Sequence, residues 1–171
     1  MSETGPDSDE LNALPAWAVV QAYHALSREL YELFAGHGLT PVQFGVLAQL
    51  TESPGLLQAE LARRVLVRPQ SMTAIINDLV ERGLLRREGT GGRGRPVPVR
   101  ITDEGRNVLA SAAGAMREFN APDNLGLASY EAGMLTALLH KLTAARRTRA
   151  SGDGNRRRST PEPASGVQET P

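Results

Sequence analysis

Between residues 61 and 100 the chain carries nine arginines against three acidic residues, and within that stretch Pro69–Asn77 sets Gln70, Ser71, Thr73, Ala74 and Asn77 along one side of a helical repeat. Gln and Asn can each bond an adenine edge bidentately, a Thr methyl can meet a thymine methyl, and guanidinium groups pair strongly with phosphate. The chemistry on offer is recognition of a polyanion by contact. Further along, Arg93-Gly94-Arg95-Pro96 holds two arginines in an extended Gly/Pro frame. That frame is shaped to enter a narrow minor groove, where the potential is most negative. Arg63, Arg64, Arg68, Arg86, Arg87 and Arg100 surround these positions and are the expected phosphate partners. The competing reading of every one of these residues is an exposed polar group on a solvated face.

The overall charge hides this pattern, because 19 Lys+Arg balance 19 Asp+Glu. By segment, residues 1–10 carry −4, 11–60 carry −3, 61–100 carry +6, 101–140 carry −3 and 141–171 carry +4. The neutrality is a cancellation of blocks: a basic stretch sits in an otherwise acidic body, as expected of a protein that docks one face on a polyanion.

Other chemistries find little support. With no Cys there is no disulfide framework, thiolate metal site, cysteine nucleophile or thiol sensor. His24, His37 and His140 are isolated, without metal-ligand spacing, so neither metal nor cofactor is expected. Gly89-Thr90-Gly91-Gly92-Arg93-Gly94 superficially resembles a phosphate-cradling loop, but it lacks the Lys-Ser/Thr pair and runs from strand to strand. No nucleophile–base pairing or paired carboxylates stand out, so an enzyme is disfavoured. No apolar run approaches the ~18 residues of a membrane span, and the acidic N-terminus lacks a signal-peptide core; a cytoplasmic location is expected.

The elements that must position the arginines follow from periodicity. The expected class is mainly α with a small β-hairpin wing, in which a winged helix-turn-helix is embedded between flanking helices. Residues 1–14 and 149–171 are too polar to offset their ordering entropy and are read as disordered arms around a domain at 15–148. Pro15 opens a helix to about residue 36, in which Val20, Tyr23, Leu26, Leu30 and Phe34 recur at helical spacing. Thr40-Pro41 reads as a cap and first turn, with Phe44, Leu47 and Leu50 on one face. A short helix over roughly 57–65, with Leu57, Leu61 and Val65 inward, is followed by a helix from Pro69 to Gly83 on a stripe of Met72, Ile75, Ile76 and Leu79. Residues 84–88 and 97–102 are the strands of a hairpin, completing a winged unit over about 40–102. Helices at about 103–120 and 129–148 close the domain, the latter capped by Ser129 and carrying a stripe of Met134, Leu135, Leu138, Leu139 and Leu142. In such a unit the second helix enters the major groove and the hairpin reaches the backbone or the adjacent minor groove. At the tip of that hairpin, Arg-Gly-Arg-Pro looks like the core of an AT-hook without its flanking basic residues.

Residues 56–88, LLQAELARRVLVRPQSMTAIINDLVERGLLRRE, followed by a wing and VRITDEGRNVL, resemble the MarR family of bacterial transcriptional regulators. The resemblance covers about residues 15–147. Its most specific parts are Leu39-Thr40-Pro41 with Gln43-Phe44, Glu60-Leu61-Ala62, residues 79–84 (LVERGL) and Ile101-Thr102-Asp103-Glu104-Gly105. It implies a homodimer whose first, fifth and sixth helices interleave, reading a palindromic operator in double-stranded DNA, commonly as a repressor. Members often carry Asp-x-Arg in the wing; Arg93 and Arg95 stand there instead, so wing geometry must be fixed otherwise. Positions often basic in the reading helix are Ala74 and Asp78.

The dimer also has independent support, since flanking helices with apolar stripes leave them exposed unless another chain covers them. The alternative is that those helices pack on each other within one chain. Many relatives release DNA when a small phenolic or anionic effector binds between the dimer helices and the reader. Trp17, Tyr23, His24, Arg28 and Phe44 are the candidates to line such a crevice, with ordinary core packing as the competing reading. A different alternative is an architectural, sequence-blind DNA-binding winged domain without ligand response, its basic tail from Arg146 to Arg158 supplying nonspecific affinity.

Overall fold

Prolines begin four of the helices in the computed structural model, which describes residues 8–89 and 97–156. The order is α1 (Ser8–Asn12), α2 (Pro15–Ala35), α3 (Pro41–Glu52), α4 (Gln58–Arg64), α5 (Pro69–Glu81), β1 (Leu85–Arg87), β2 (Val99–Ile101), α6 (Asp103–Phe119), α7 (Pro122–Leu125) and α8 (Ser129–Arg156). Pro15, Pro41, Pro69 and Pro122 sit in first turns, where a missing amide costs nothing and φ is already helical. The class is as expected: mostly helical with one antiparallel hairpin, Leu85 opposite Ile101, Arg86 opposite Arg100 and Arg87 opposite Val99.

Two compact units divide at Phe119. In the first, Val46, Leu47 and Leu50 of α3, Leu61 and Ala62 of α4, and Met72, Ile76 and Leu79 of α5 are buried with Leu84, Leu85, Val99 and Ile101 of the hairpin. Phe34, Leu39 and Ala112 complete this core. Leu56 adds a single bridge to Val99, so the hairpin is anchored on its second edge as well. Thr40 accepts from the Gln43 amide at 3.2 Å while the Gln43 side chain takes the Thr40 amide at 2.7 Å, a reciprocal cap that fixes the start of α3. Thr102 likewise accepts from the Gly105 amide at 3.0 Å and donates to Gly83 O at 2.7 Å, tying α6 to the end of α5. Gly105 is required there, because a Cβ would collide with Leu84 O.

Several expectations change. Ser8–Asn12 is helical rather than part of a disordered arm, and α8 runs to Arg156 rather than ending near 148. Extending an existing helix costs little per residue, which carries α8 through the good helix formers Arg149 and Ala150 and on past Gly152 and Gly154, whose propensity is poor. The connection at 121–128 contains α7, too short to show a period. Ser129 is the first helical residue and not the cap; Ala128 precedes it, its amide held at 2.8 Å by Glu131. Leu57, expected inward, is exposed because it sits ahead of α4 with extended backbone. On α2 only Phe34 is fully buried, whereas Val20 and Tyr23 are exposed. In the second unit Met134, Leu135, Leu138, Leu139 and Leu142 are exposed.

Candidate nucleic-acid interface

Helix α5 is two-sided. Burying Met72, Ile76 and Leu79 against α4 and the hairpin leaves Gln70, Ser71, Thr73, Ala74 and Asn77 on solvent, so all five expected reader residues are accessible together. The turn before it is tight: Val67 donates to Ala62 O at 3.0 Å, and Leu66 adopts φ +60°, a left-handed conformation uncommon outside Gly. Arg68, in extended conformation ahead of Pro69, offers no side-chain cap to the first-turn amides. Those amides therefore keep their donor capacity for an acceptor outside the helix.

Two of the five are already oriented by neighbours. Gln58 of α4 donates to Thr73 Oγ1, and Arg87 of β1 donates to Asn77 Oδ1 at 2.6 Å. The Thr73 methyl and the Asn77 amide nitrogen stay available. Gln70 and Ser71 make no side-chain hydrogen bond among the described residues. A groove of about 660 Å³ runs between α5 and the hairpin, lined in part by Gln58, Thr73, Asn77, Arg87, Val97 and Val99.

The arginines divide by role. Arg63 and Arg68 are exposed beside the turn. Arg64, expected on phosphate, is turned back into the fold: it pairs with Glu60 at 2.8 Å and donates to Ser53 Oγ at 3.0 Å, joining α4 to α3. Arg87 shares the hairpin face that meets α5, while Arg86 and Arg100, directly opposite each other, lie on the other face, since strand side chains alternate. Arg93 and Arg95, expected at the wing tip, lie outside the described residues.

A second polar network was not visible from the sequence. Gln43 Nε2 donates to Asp78 Oδ2 at 2.7 Å, Arg82 pairs with Asp78 at 3.2 Å, and Arg82 Nη2 donates to Gly38 O at 2.6 Å. Asp78 thereby serves to clamp α5 to the start of α3. The Thr40–Gln43 pair hinted at a cap, but its continuation spans 35 residues and depends on how α3 and α5 cross.

The expected effector residues are not gathered into one cavity within the chain. Phe44 packs on Phe34 with ring centroids 4.7 Å apart. Trp17, Tyr23, His24 and Arg28 are exposed along α2; Tyr23 meets His24 edge-on at 5.7 Å. Arg28 pairs with Glu32 at 2.8 Å, which raises its pKa through the hydrogen bond and the opposite charge. Among the described residues no helix is long and apolar enough to cross a membrane, and no cluster of three or more side chains could hold a metal.

Known proteins share this arrangement. The MarR family model matches residues 37–96, the segment from just after α2, through α3, α4, α5 and β1, to just short of β2. The chain is 37% identical over 84 residues to the HTH-type transcriptional repressor Rv2887 of Mycobacterium tuberculosis, a match covering 49% of this chain and 60% of that protein. The chain thus spans less than two thirds of the curated relative. Crystal structures of Rv2887 with DNA and with salicylic acid match at TM-scores of 0.63 and 0.61, with 28% and 29% identity, covering 76% of this chain and 98% and 96% of theirs. The PcaV transcriptional regulator of Streptomyces coelicolor, solved with its natural ligand, matches at 0.66 with 25% identity over 84% of this chain and 99% of its own. With the helix-turn-helix, the hairpin and the Thr102–Gly105 junction at the expected positions, the chain is similar to MarR family proteins in sequence over residues 37–96 and in fold over most of its length.

Proposed function

We propose that this chain is a DNA-binding transcriptional regulator, acting as a repressor, that reads a palindromic operator as a homodimer. The observation that carries this reading is the exposed polar side of α5, bounded by cationic Arg63, Arg68 and Arg87 and backed by a fully apolar face. Gln70, Ser71, Thr73, Ala74 and Asn77 meet base edges in the major groove, Arg63, Arg68 and Arg87 hold phosphates, and Arg93 and Arg95 enter the minor groove. Arg87 also sets the amide orientation of Asn77 before DNA arrives, because its guanidinium holds Oδ1.

The exposed apolar residues of α2 and α8 support the dimer: Trp17, Val20 and Tyr23 on one, Leu135, Leu138 and Leu142 on the other, all uncovered in a single chain. Rv2887 has been solved with salicylic acid and PcaV with its natural ligand. By the same logic a small phenolic or anionic effector is proposed to enter between dimer helices and reader, near Trp17, Tyr23, His24 and Arg28, with the second copy completing a pocket that one chain lacks.

Selection of bound sites from random duplex DNA tests the function. An inverted repeat with a defined half-site is expected, and Gln70→Ala or Asn77→Ala should each relax preference at one base pair per half-site by about 1–3 kcal/mol. Arg95→Ala should weaken binding to all sequences and lower the salt slope by about 0.9 for each phosphate it no longer neutralises. Length-dependent binding with no recovered repeat supports the architectural reading instead.

A further inference from the structure

Arg86 and Arg100 face each other directly across the hairpin, an arrangement that like charges make unfavourable unless something neutralises them. Glu88 does so in part, reaching Arg100 within ion-pair range and Arg86 at 3.7 Å. Arg100 Nε lies 2.5 Å from Glu88 Oε1 without hydrogen-bond alignment, so one carboxylate is shared, imperfectly, between two guanidinium groups. Both side chains line a cleft of about 480 Å³. Arg106 of α6 enters the same cleft, paired with Asp103 and donating to Ile101 O at 3.3 Å. Three guanidinium groups thus converge from β1, β2 and α6 against two carboxylates, with Thr51 and Thr102 beside them and Leu50, Pro54 and Ile101 forming an apolar wall.

We propose that this cleft binds a small phosphomonoester, its phosphate held by Arg86, Arg100 and Arg106 and its organic part lying on the apolar wall. Three guanidinium groups, carried on three separate elements that line one cleft, offer charge and donors suited to the three terminal oxygens of a phosphate dianion. The cleft also exceeds what inorganic phosphate alone would fill, and its apolar side has no use for a bare ion. It is set on the hairpin face opposite the one that meets α5, and so it is separate from the base-reading side and from the α2 residues proposed for the phenolic effector. A bound dianion removes the Arg86–Arg100 repulsion and ties the base of the wing to α6 and the end of α3.

The test is titration of the full chain with phenyl phosphate and with inorganic phosphate, by calorimetry and thermal melting at constant ionic strength. Saturable binding of phenyl phosphate with a rise in Tm is expected, weaker binding of inorganic phosphate, and a loss of about tenfold or more in Arg100→Gln and in Arg86→Gln. Arg117→Gln, an exposed α6 cation away from the cleft, should bind as the parent does. Should Arg100→Gln fold poorly, Arg86→Gln and a chloride series carry the same comparison. Equal shifts in all variants would mean unspecific ion stabilisation and overturn the proposal. No phosphate shift, combined with a lower DNA salt slope in Arg86→Gln and Arg100→Gln, would assign the cleft to the DNA backbone and overturn it too.

Discussion

The reader and the flanking helices contain similar apolar side chains and treat them in opposite ways. In α3 to β2 every large apolar stripe ends in a shared interior: Leu47, Leu50, Leu61, Met72 and Leu79 are at or near zero exposure. On α8 Leu135, Leu138 and Leu142 are exposed to 47%, 58% and 42%, and on α2 Trp17 is exposed to 44%. At roughly 25 cal/mol per Å² of apolar surface, leaving two such stripes in water forfeits several kcal/mol. A stable arrangement covers them. The difference teaches that the apolar stripes of the reader are satisfied within one chain, whereas those of α2 and of α8 are left exposed, which supports the proposed dimer.

The largest effect should come from breaking that interface. Leu138→Glu combined with Leu142→Glu is expected to yield monomers in sedimentation and to weaken binding to a palindromic site by about 100-fold or more, because each half-site is then bound alone. The amides of α3 and α5 should keep their hydrogen-exchange protection if the reader folds independently. Loss of that protection would dissolve the distinction between the two regions.

Next in size is an injury inside the reader. Gly105→Ala forces a methyl onto Leu84 O, and a destabilisation of about 1–3 kcal/mol or more is expected in denaturant unfolding. Asp78→Ala leaves Gln43 Nε2 and one face of Arg82 without their acceptor; a loss of about 1–2 kcal/mol is expected, with little change in dimer mass. The smallest change should be a gain. Leu66 is mostly exposed and held at φ +60°, so Leu66→Gly relieves backbone strain while losing little burial. Stability should rise by a few tenths to about 1 kcal/mol, the relief being offset by the greater freedom of Gly in the unfolded chain.

What could be read from the sequence was what is local. Pro15, Pro41 and Pro69 at helix starts, Thr40 as a cap and Gly83 as a stop act within a few residues, and each stands where its chemistry requires. The face of α5 was legible for the same reason, because burial of Met72, Ile76 and Leu79 dictates which side remains. Contacts set by helix crossing were not. Arg64 reads as one more cation in a basic block, yet Ser53 and Gln49 on a different helix draw it inward. Alternation along a strand puts Arg86 and Arg87 on opposite faces, but nothing in the order of residues says which of those faces meets α5 until the hairpin is packed. α1 and α7, at five and four residues, are too short for a period to register.

The proposed division between a reader satisfied within one chain and helices that a second copy covers is tested most directly by the mass of the full chain in solution. Sedimentation equilibrium at micromolar concentration should give a species of twice the 18.3 kDa chain mass. A single species at 18.3 kDa that still bound DNA would contradict the account, since the stripes of α2 and α8 would then be covered by no second copy.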